Sequence, residues 1–230
     1  MVHAIQNKKE MIMNKILAKA VWLIILLPVV YLAIAWNTLP EKIAMRYDLH
    51  GNVEKFGSRK ELLGLAAILT AMNIFVYFLL TNMYRIDPKK HAVENKDRLQ
   101  RIAFAVTVFI SAILCLIIYS SKNASLRFNI AWVFSGVGLL FAVIGNYMPN
   151  LKPNYFAGFR LPWTLENENN WRKTHLLAGK LWFAGGLLLT AICLFLPPVA
   201  AIVVFFSIML FITIIPMVYS YRLYKKQKSG

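Results

Sequence analysis

The chain has 230 residues, of which 59% are hydrophobic and 16% charged, with a mean hydropathy of +0.56. A soluble domain carries about a quarter charged residues, so this composition excludes a soluble enzyme domain. The net charge of +16 is spread over short segments between apolar runs rather than gathered on one soluble face, which reads as membrane topology and argues against direct nucleic-acid binding.

Residues 20–40, 62–84, 102–121, 128–151 and 181–221 contain no charge and cover more than half of the chain. A helix crosses the hydrocarbon core in about 20 residues, so the first four runs supply one span each and the fifth supplies two. The predicted fold class is all-α, a polytopic helical bundle of six transmembrane helices. Most lysines and arginines fall before residue 20, in 85–101, in 152–180 and after 221, and the rest fall in 42–60 and 122–127. The excess of Lys and Arg on cytoplasmic segments then predicts that both termini are cytoplasmic. The domain plan is a cytoplasmic N-terminus over 1–15, then helices one and two over 16–83 with an extracellular loop at 37–61. A cytoplasmic charged loop at 84–101 follows, and helices three to six occupy 102–230 with a cytoplasmic interfacial loop at 149–175.

The first span, about 16–36, ends at Ala33-Ile34-Ala35, an A-x-A pattern that imitates a signal-peptidase site. Its apolar run exceeds the usual signal core, and Pro28 suits a kinked span, so the segment is expected to be retained. Lys19 near the inner end is expected to extend its stem to the headgroups. Residues 37–61 are too polar for the bilayer and too short for a core of their own, and so predict an external cap. Asp48-Leu49-His50-Gly51-Asn52 supplies turn formers, Gly51 being able to take positive φ at low cost. Phe56 can insert into the interface. The cap is read either as a folded loop tying the first two spans together or as a surface that meets a ligand.

The second span, about 62–83, contains Asn73, which is expected to face another helix. The charged segment that follows should extend its neighbouring helices as a solvated face. The third span, about 102–120, is joined to the fourth by a short external turn around 122–127. In the fourth, about 128–148, Ala131, Ser135, Gly138, Ala142 and Gly145 recur every three or four residues and fall on one narrow stripe. Small residues on a common stripe let helix backbones approach closely, so a helix-packing seam is predicted.

The segment 150–170 interleaves aromatic residues, Gly and Pro with one arginine. Rings at headgroup depth and an Arg160 that finds a phosphate, a carboxylate or backbone carbonyls suit an interfacial loop. Glu166 and Glu168 are the nearest acidic candidates. Asn167 can cap a helix beginning near Glu168, which puts Trp171, His175, Ala178 and Trp182 on one face. His175 is read as a hydrogen-bonded packing residue. The fifth span ends at Leu196 before Pro197-Pro198 forces a turn, and the sixth, about 199–219, is followed by an aromatic and basic anchor. Cys115 and Cys193 lie in apolar spans as small hydrophobes. No metal-ligand spacing, phosphate loop or nucleophile motif is present, so no catalytic residue, metal or cofactor is expected.

Two segments carry a resemblance. Leu39-Pro40-Glu41-Lys42-Ile43, then Gly51, Glu54, Phe56-Gly57-Ser58 and Arg59, resemble the extracellular loop of the SdpI family of bacterial immunity membrane proteins. In that family an L-P-x-x-I-P-x-H start leads to a G-x-x-D-x-W-G-S-K end. Asn154, Phe156, Gly158, Arg160, Trp163-Thr164-Leu165, Trp171 and His175 resemble its inner hallmark, N-x-F-x-G-x-R-x-x-W-T-L followed by W and H. Ala44 and Arg46 stand where the family usually has Pro and His, and Glu54 and Arg59 keep the charge of its Asp and Lys.

The resemblance implies a multi-pass protein of the bacterial cytoplasmic membrane that binds rather than catalyses, conferring immunity to, or signalling the presence of, a secreted membrane-active peptide toxin. Its implied partners are the lipid bilayer, the toxin outside and a transcriptional repressor inside. Arg46, Asp48, Glu54, Phe56 and Arg59 are the expected ligand-binding residues of the outer loop, and Asn154, Phe156, Gly158, Arg160, Trp163, Thr164, Leu165, Trp171 and His175 form the inner motif. Two other classes stay open at this point. A small-solute or lipid-handling transporter would normally show ionisable residues at span centres, and an intramembrane enzyme would draw on His175 with Glu166 or Glu168.

Overall fold

The computed structural model describes residues 2–89, 92–122 and 129–228, with side chains from residue 12 onward except that of Ala92. Lys90, His91, the 123–127 part of the expected external turn with Arg127, and the side chains of His3, Lys8 and Lys9 lie outside the described residues. Seven α-helices and one β-hairpin make up the described fold. They are α1 (Val2–Ala35), β1 (Ile43–Tyr47), β2 (Val53–Gly57), α2 (Arg59–Ile86), α3 (Lys96–Lys122), α4 (Ile130–Tyr147), α5 (Pro162–Glu166), α6 (Glu168–Cys193) and α7 (Pro198–Lys228). Every helix but the short α5 is long and apolar enough to cross a membrane, so the fold is all-α and polytopic with six candidate spans among the described residues. Large apolar side chains such as Leu23 (74% exposed) and Phe206 (63% exposed) point outward from these helices. That pattern would be a liability in water, but it is the one lipid tails solvate.

The helices fall into two compact units. The first comprises residues 1–80 and 103–128 and the second residues 81–102 and 129–230. In the first, Leu32, Ala35, Leu39 and Ile43 are buried together with Leu62, Ala66, Leu114 and Ile118, so α1, the start of β1, α2 and α3 share one apolar cluster. A second cluster joins Val21 and Ile25 of α1 to Tyr77 of α2 and Ala103 of α3. Asn73 is buried and faces α3, its amide donating to the Thr107 carbonyl at 3.3 Å and to Ser111 Oγ at 3.0 Å. Such bonds tie spans together where apolar surface has no preference between protein and lipid.

The hairpin is an addition to the all-helical expectation. β1 and β2 pair antiparallel, Ile43 opposite Gly57 and Tyr47 opposite Val53, with irregularities on both sides of Arg46. Leu39 and Ile43 are buried and root the hairpin, whereas Val53, Glu54, Lys55 and Phe56 are all exposed. Tyr47 Oη meets Ser120 Oγ of α3 at 3.4 Å. α2 begins in a capping box: Ser58 N–H donates to Glu61 Oε1 at 3.1 Å and Glu61 N–H to Ser58 Oγ at 3.3 Å.

In the second unit α4 and α6 lie against each other along the stripe of small residues. Ala131, Ser135, Gly138, Ala142 and Gly145 are the buried residues of α4. α7 packs on the same layer through the stacked Phe134 and Phe205 rings, 4.3 Å apart, and through Trp182 Nε1, which donates to the Ile212 carbonyl at 3.2 Å. Asn129 caps α4 by accepting from Ala131 N–H at 2.9 Å, and Asn167 caps α6 by accepting from Asn170 N–H at 2.9 Å. The chain leaves α6 at Cys193 and restarts at Pro198, the first residue of α7, where its missing N–H costs nothing.

Candidate functional site

The segment from Met148 to His175 is a loop folded on its own hydrogen bonds, seated on the starts of α6 and α3 and the end of α7. Asn154 is buried, and its Oδ1 accepts from Phe156 N–H at 2.9 Å and Ala157 N–H at 2.6 Å while Nδ2 donates to the Lys152 carbonyl at 2.9 Å. An Asn side chain that replaces a backbone turn in this way sets the chain direction for the next residues. Gly158 then takes φ +97°, outside the range of ordinary L residues. That turn aims the Phe159 N–H at His175 Nε2, 3.0 Å away. Because Nε2 accepts, the imidazole proton resides on Nδ1 and donates to the Trp171 carbonyl at 2.9 Å. The ring stacks on Trp171 with centroids 3.9 Å apart, and Trp171 Nε1 donates to the Leu151 carbonyl at 2.7 Å. His175 is thus a neutral crosspiece between α6 and the loop, with no carboxylate among the partners described.

Thr164 and Trp163 close the loop. The Thr164 hydroxyl is shared between the carbonyls of Phe159 at 2.7 Å and Leu161 at 2.8 Å, and accepts from Leu161 N–H at 2.9 Å. Trp163 Nε1 donates to Ser220 Oγ at 2.7 Å, and its ring stacks on Tyr224 with centroids 5.6 Å apart. Ser220 Oγ and Thr174 Oγ1 each donate to Asn170 Oδ1 at 3.0 Å, while Asn170 Nδ2 donates to the Ser220 carbonyl at 3.1 Å. The Leu165 carbonyl accepts from Lys89 Nζ at 2.8 Å. Phe156 is half-buried. Arg160 is exposed and pairs with a backbone group, its Nη1 donating to the Tyr155 carbonyl at 3.0 Å, rather than with Glu166 or Glu168.

Sequence reasoning missed the far partners of this loop. Asn95, almost fully buried, exchanges two bonds with the Lys152 backbone at 2.8 and 3.1 Å, and Asp87 Oδ2 accepts from Tyr155 N–H at 2.8 Å. Asn170 and Ser220 were legible only as small polar residues close to apolar spans, a weak signal that becomes a four-residue network once the helices are in place. The short α5 was also missed, being only one turn long.

In the first unit, the expected outer residues lie on the hairpin or beside it. Asp48 Oδ1 accepts from the N–H groups of His50 at 2.8 Å and Asn52 at 2.7 Å, Oδ2 accepts from Asn52 Nδ2 at 2.9 Å, and Gly51 completes the turn at φ +82°. Arg46 Nε donates to Glu54 Oε2 at 2.7 Å, Arg59 Nε donates to the Pro40 carbonyl at 3.3 Å, and Phe56 is exposed. The Asn52 side chain and backbone, with His50, hold the Asp48 carboxyl below its ordinary range. A carboxylate lowered in the folded state stabilises the turn above its unfolded value of about 4, and that contribution is lost as pH falls through the folded value. The Asn52 amide resonance is therefore expected to shift with a midpoint below that of an ordinary Asp; a midpoint at or above it would show the turn forms without the carboxylate.

These features define a multi-pass membrane protein whose polar groups are concentrated in two folded loops. Residues 150–220 match the SdpI/YfhL protein family, and residues 23–70 match a domain of unknown function (DUF1648). The chain is 24% identical over 196 residues to the immunity protein SdpI of Bacillus subtilis (strain 168), covering 84% of this chain and 88% of that protein. No solved structure matches it. The matched region 150–220 holds every residue of the inner motif and ends on Ser220, and 23–70 takes in the whole hairpin.

Proposed function

We propose that this chain confers immunity to a secreted membrane-active peptide, or signals its presence, and that it works by binding rather than catalysis from the bacterial cytoplasmic membrane. The observation that carries the reading is the similarity to an immunity protein across 84% of the chain, a length that cannot be matched without including the 154–175 loop. The use of His175, Asn154, Asn170 and Thr164 in fixing a loop supports binding, because a general base must be free to exchange protons with a substrate.

In this reading the termini are cytoplasmic and the hairpin is extracellular. Arg46, Asp48, Glu54, Phe56 and Arg59 meet the peptide there, while the 154–175 loop responds on the inner face, where a transcriptional repressor is the partner. The distribution of Lys and Arg supports that orientation. A response across the membrane requires the peptide to favour one of two helix arrangements over the other. Cysteines placed at Leu49 and Glu166, both exposed, are expected to react with an impermeant thiol reagent from opposite sides of the membrane; labelling of both from one side would overturn the division of roles.

Deleting the gene should sensitise its host to a membrane-active peptide that the intact chain tolerates, and R160A should lose that protection while still inserting. Full protection by R160A would remove Arg160 from the mechanism. In proteoliposomes a binding protein shows no saturable flux, and saturable solute flux would put a transporter in place of this reading.

A further inference from the structure

Arg160 and Lys89 both meet Tyr155, Arg160 at its backbone carbonyl and Lys89 over its ring. The Tyr155 ring is 45% exposed, its carbonyl accepts from Arg160 Nη1 at 3.0 Å, and Lys89 Nζ lies 5.4 Å from the ring centroid. Each cation is positioned by one bond to a backbone carbonyl, Tyr155 for Arg160 and Leu165 at 2.8 Å for Lys89. Guanidinium offers five N–H donors and ammonium three, so most of the donors of both remain unspent among the described residues. The carboxylate beside them, Asp87, is turned inward: its oxygens accept from the N–H groups of Lys89 at 2.9 Å and Tyr155 at 2.8 Å. Glu166 is exposed on α5 and makes no ion pair with either cation.

We propose that Arg160 and Lys89, bracketing Tyr155, bind the phosphate of an anionic phospholipid headgroup. A loop carrying Tyr155, Phe156 and Trp163 next to the start of a spanning helix belongs at headgroup depth, where amphipathic rings settle. Arg presents a planar fork of donors that fits phosphate oxygens, and Lys adds a point charge. The protein supplies the orientation through Asn154, Gly158 and Asp87, so the cations are placed before a lipid arrives. The site therefore differs from a diffuse basic surface in depending on two particular residues.

The test is native mass spectrometry of the full chain released from neutral detergent, titrated with phosphatidylglycerol or phosphatidylcholine of the same acyl chains. Wild type is expected to bind phosphatidylglycerol at least tenfold more tightly. R160Q and K89Q should each weaken it by roughly fivefold and the double variant by roughly 20-fold, taking about 1 kcal/mol per basic residue at an anionic surface. K152Q, which removes a lysine 3.8 Å from Glu94, should stay within about twofold. Should the double variant not fold, R160K/K89R keeps both charges and is expected to keep its preference for phosphatidylglycerol while binding it more weakly than wild type, since Lys at 160 lacks the planar fork. Equal affinity for the two lipids, an unchanged double variant, or loss of binding in a folded R160K/K89R overturns the proposal. Displacement of the lipid by an equal concentration of inorganic phosphate also overturns it, since the site would then take the free anion; no displacement upholds the lipid as the source.

Discussion

A G158A chain is expected to lose about 3 kcal/mol of stability, among the largest effects of adding a single methyl group anywhere in the chain. Two costs combine. At φ +97° an L residue is strained by roughly 1–2 kcal/mol. The new Cβ would also collide with His175 Nε2 and lie 2.9 Å from Cδ2. The imidazole cannot retreat, because it is stacked on Trp171, held by Nδ1 to the Trp171 carbonyl and set edge-on to Phe159 at 6.2 Å. Relief must come from the loop, and moving the loop breaks the Phe159 N–H bond, leaving a buried donor unpaired at a cost of about 1–3 kcal/mol. Denaturant unfolding in mixed micelles measures the sum. A cycle with H175A separates the parts: without the imidazole, G158A should cost only the backbone strain, so the two substitutions couple by at least about 1 kcal/mol. A G158A chain as stable as wild type would mean that the loop is not seated on His175.

That dependence shows why the site was half legible. Asn154, Gly158, Trp163, Thr164, Trp171 and His175 stand out in the sequence as uncommon residue types in a fixed order, and the offsets on α6 place Trp171 and His175 on one face. What each touches was not legible, because the partners lie far along the chain: Ser220 is 57 positions from Trp163, Asn95 is 57 from Lys152, and Lys89 is 76 from Leu165. Arg160 illustrates the same limit. The sequence leaves a phosphate, a carboxylate or backbone carbonyls open as its partner, and the Asn154 turn presents the Tyr155 carbonyl to it.

The fold divides along similar lines. Span number follows from uncharged length, and the α4 stripe from spacing. The hairpin escaped because its strands lack period-two alternation: Val53-Glu54-Lys55-Phe56 is exposed throughout, and only Ile43 at the root of β1 is fully buried. Its turn could still be read, since Asp48 and Gly51 act locally and need no distant partner.

The second large effect is expected at the seam between α4 and α6, where backbone touches backbone. A Cβ built on Gly186 would lie 2.5 Å from the Gly138 carbonyl oxygen and 2.6 Å from Ala142 N, and one built on Gly138 would lie 2.7 Å from the Gly186 carbonyl oxygen. Two turns on from Gly138, a Cβ built on Gly145 would lie 2.5 Å from Phe183 N. None of these neighbours is a side chain that could rotate away, so the helices themselves must separate. G186V therefore forfeits packing along the whole stripe, worth roughly 1–3 kcal/mol as overpacking. It also stretches the reciprocal bonds in which Ser135 Oγ donates to the Thr190 carbonyl at 3.0 Å and Thr190 Oγ1 to the Ser135 carbonyl at 3.1 Å. Interhelical bonds of this kind average about 0.6 kcal/mol each in a membrane. The expected total is about 3 kcal/mol, and α6 displaced in this way takes Trp171 and His175 with it, so the loop should loosen as well.

Gly64 supplies a control of opposite sign. It sits within α2 with no atom within 4 Å of an added Cβ, so G64A should stabilise the chain by about 0.5–1 kcal/mol through helix propensity alone. If G186V and G64A unfold alike in the same micelles, the small residues of α4 do not mark a contact, and the position of α6 beneath the loop has another cause.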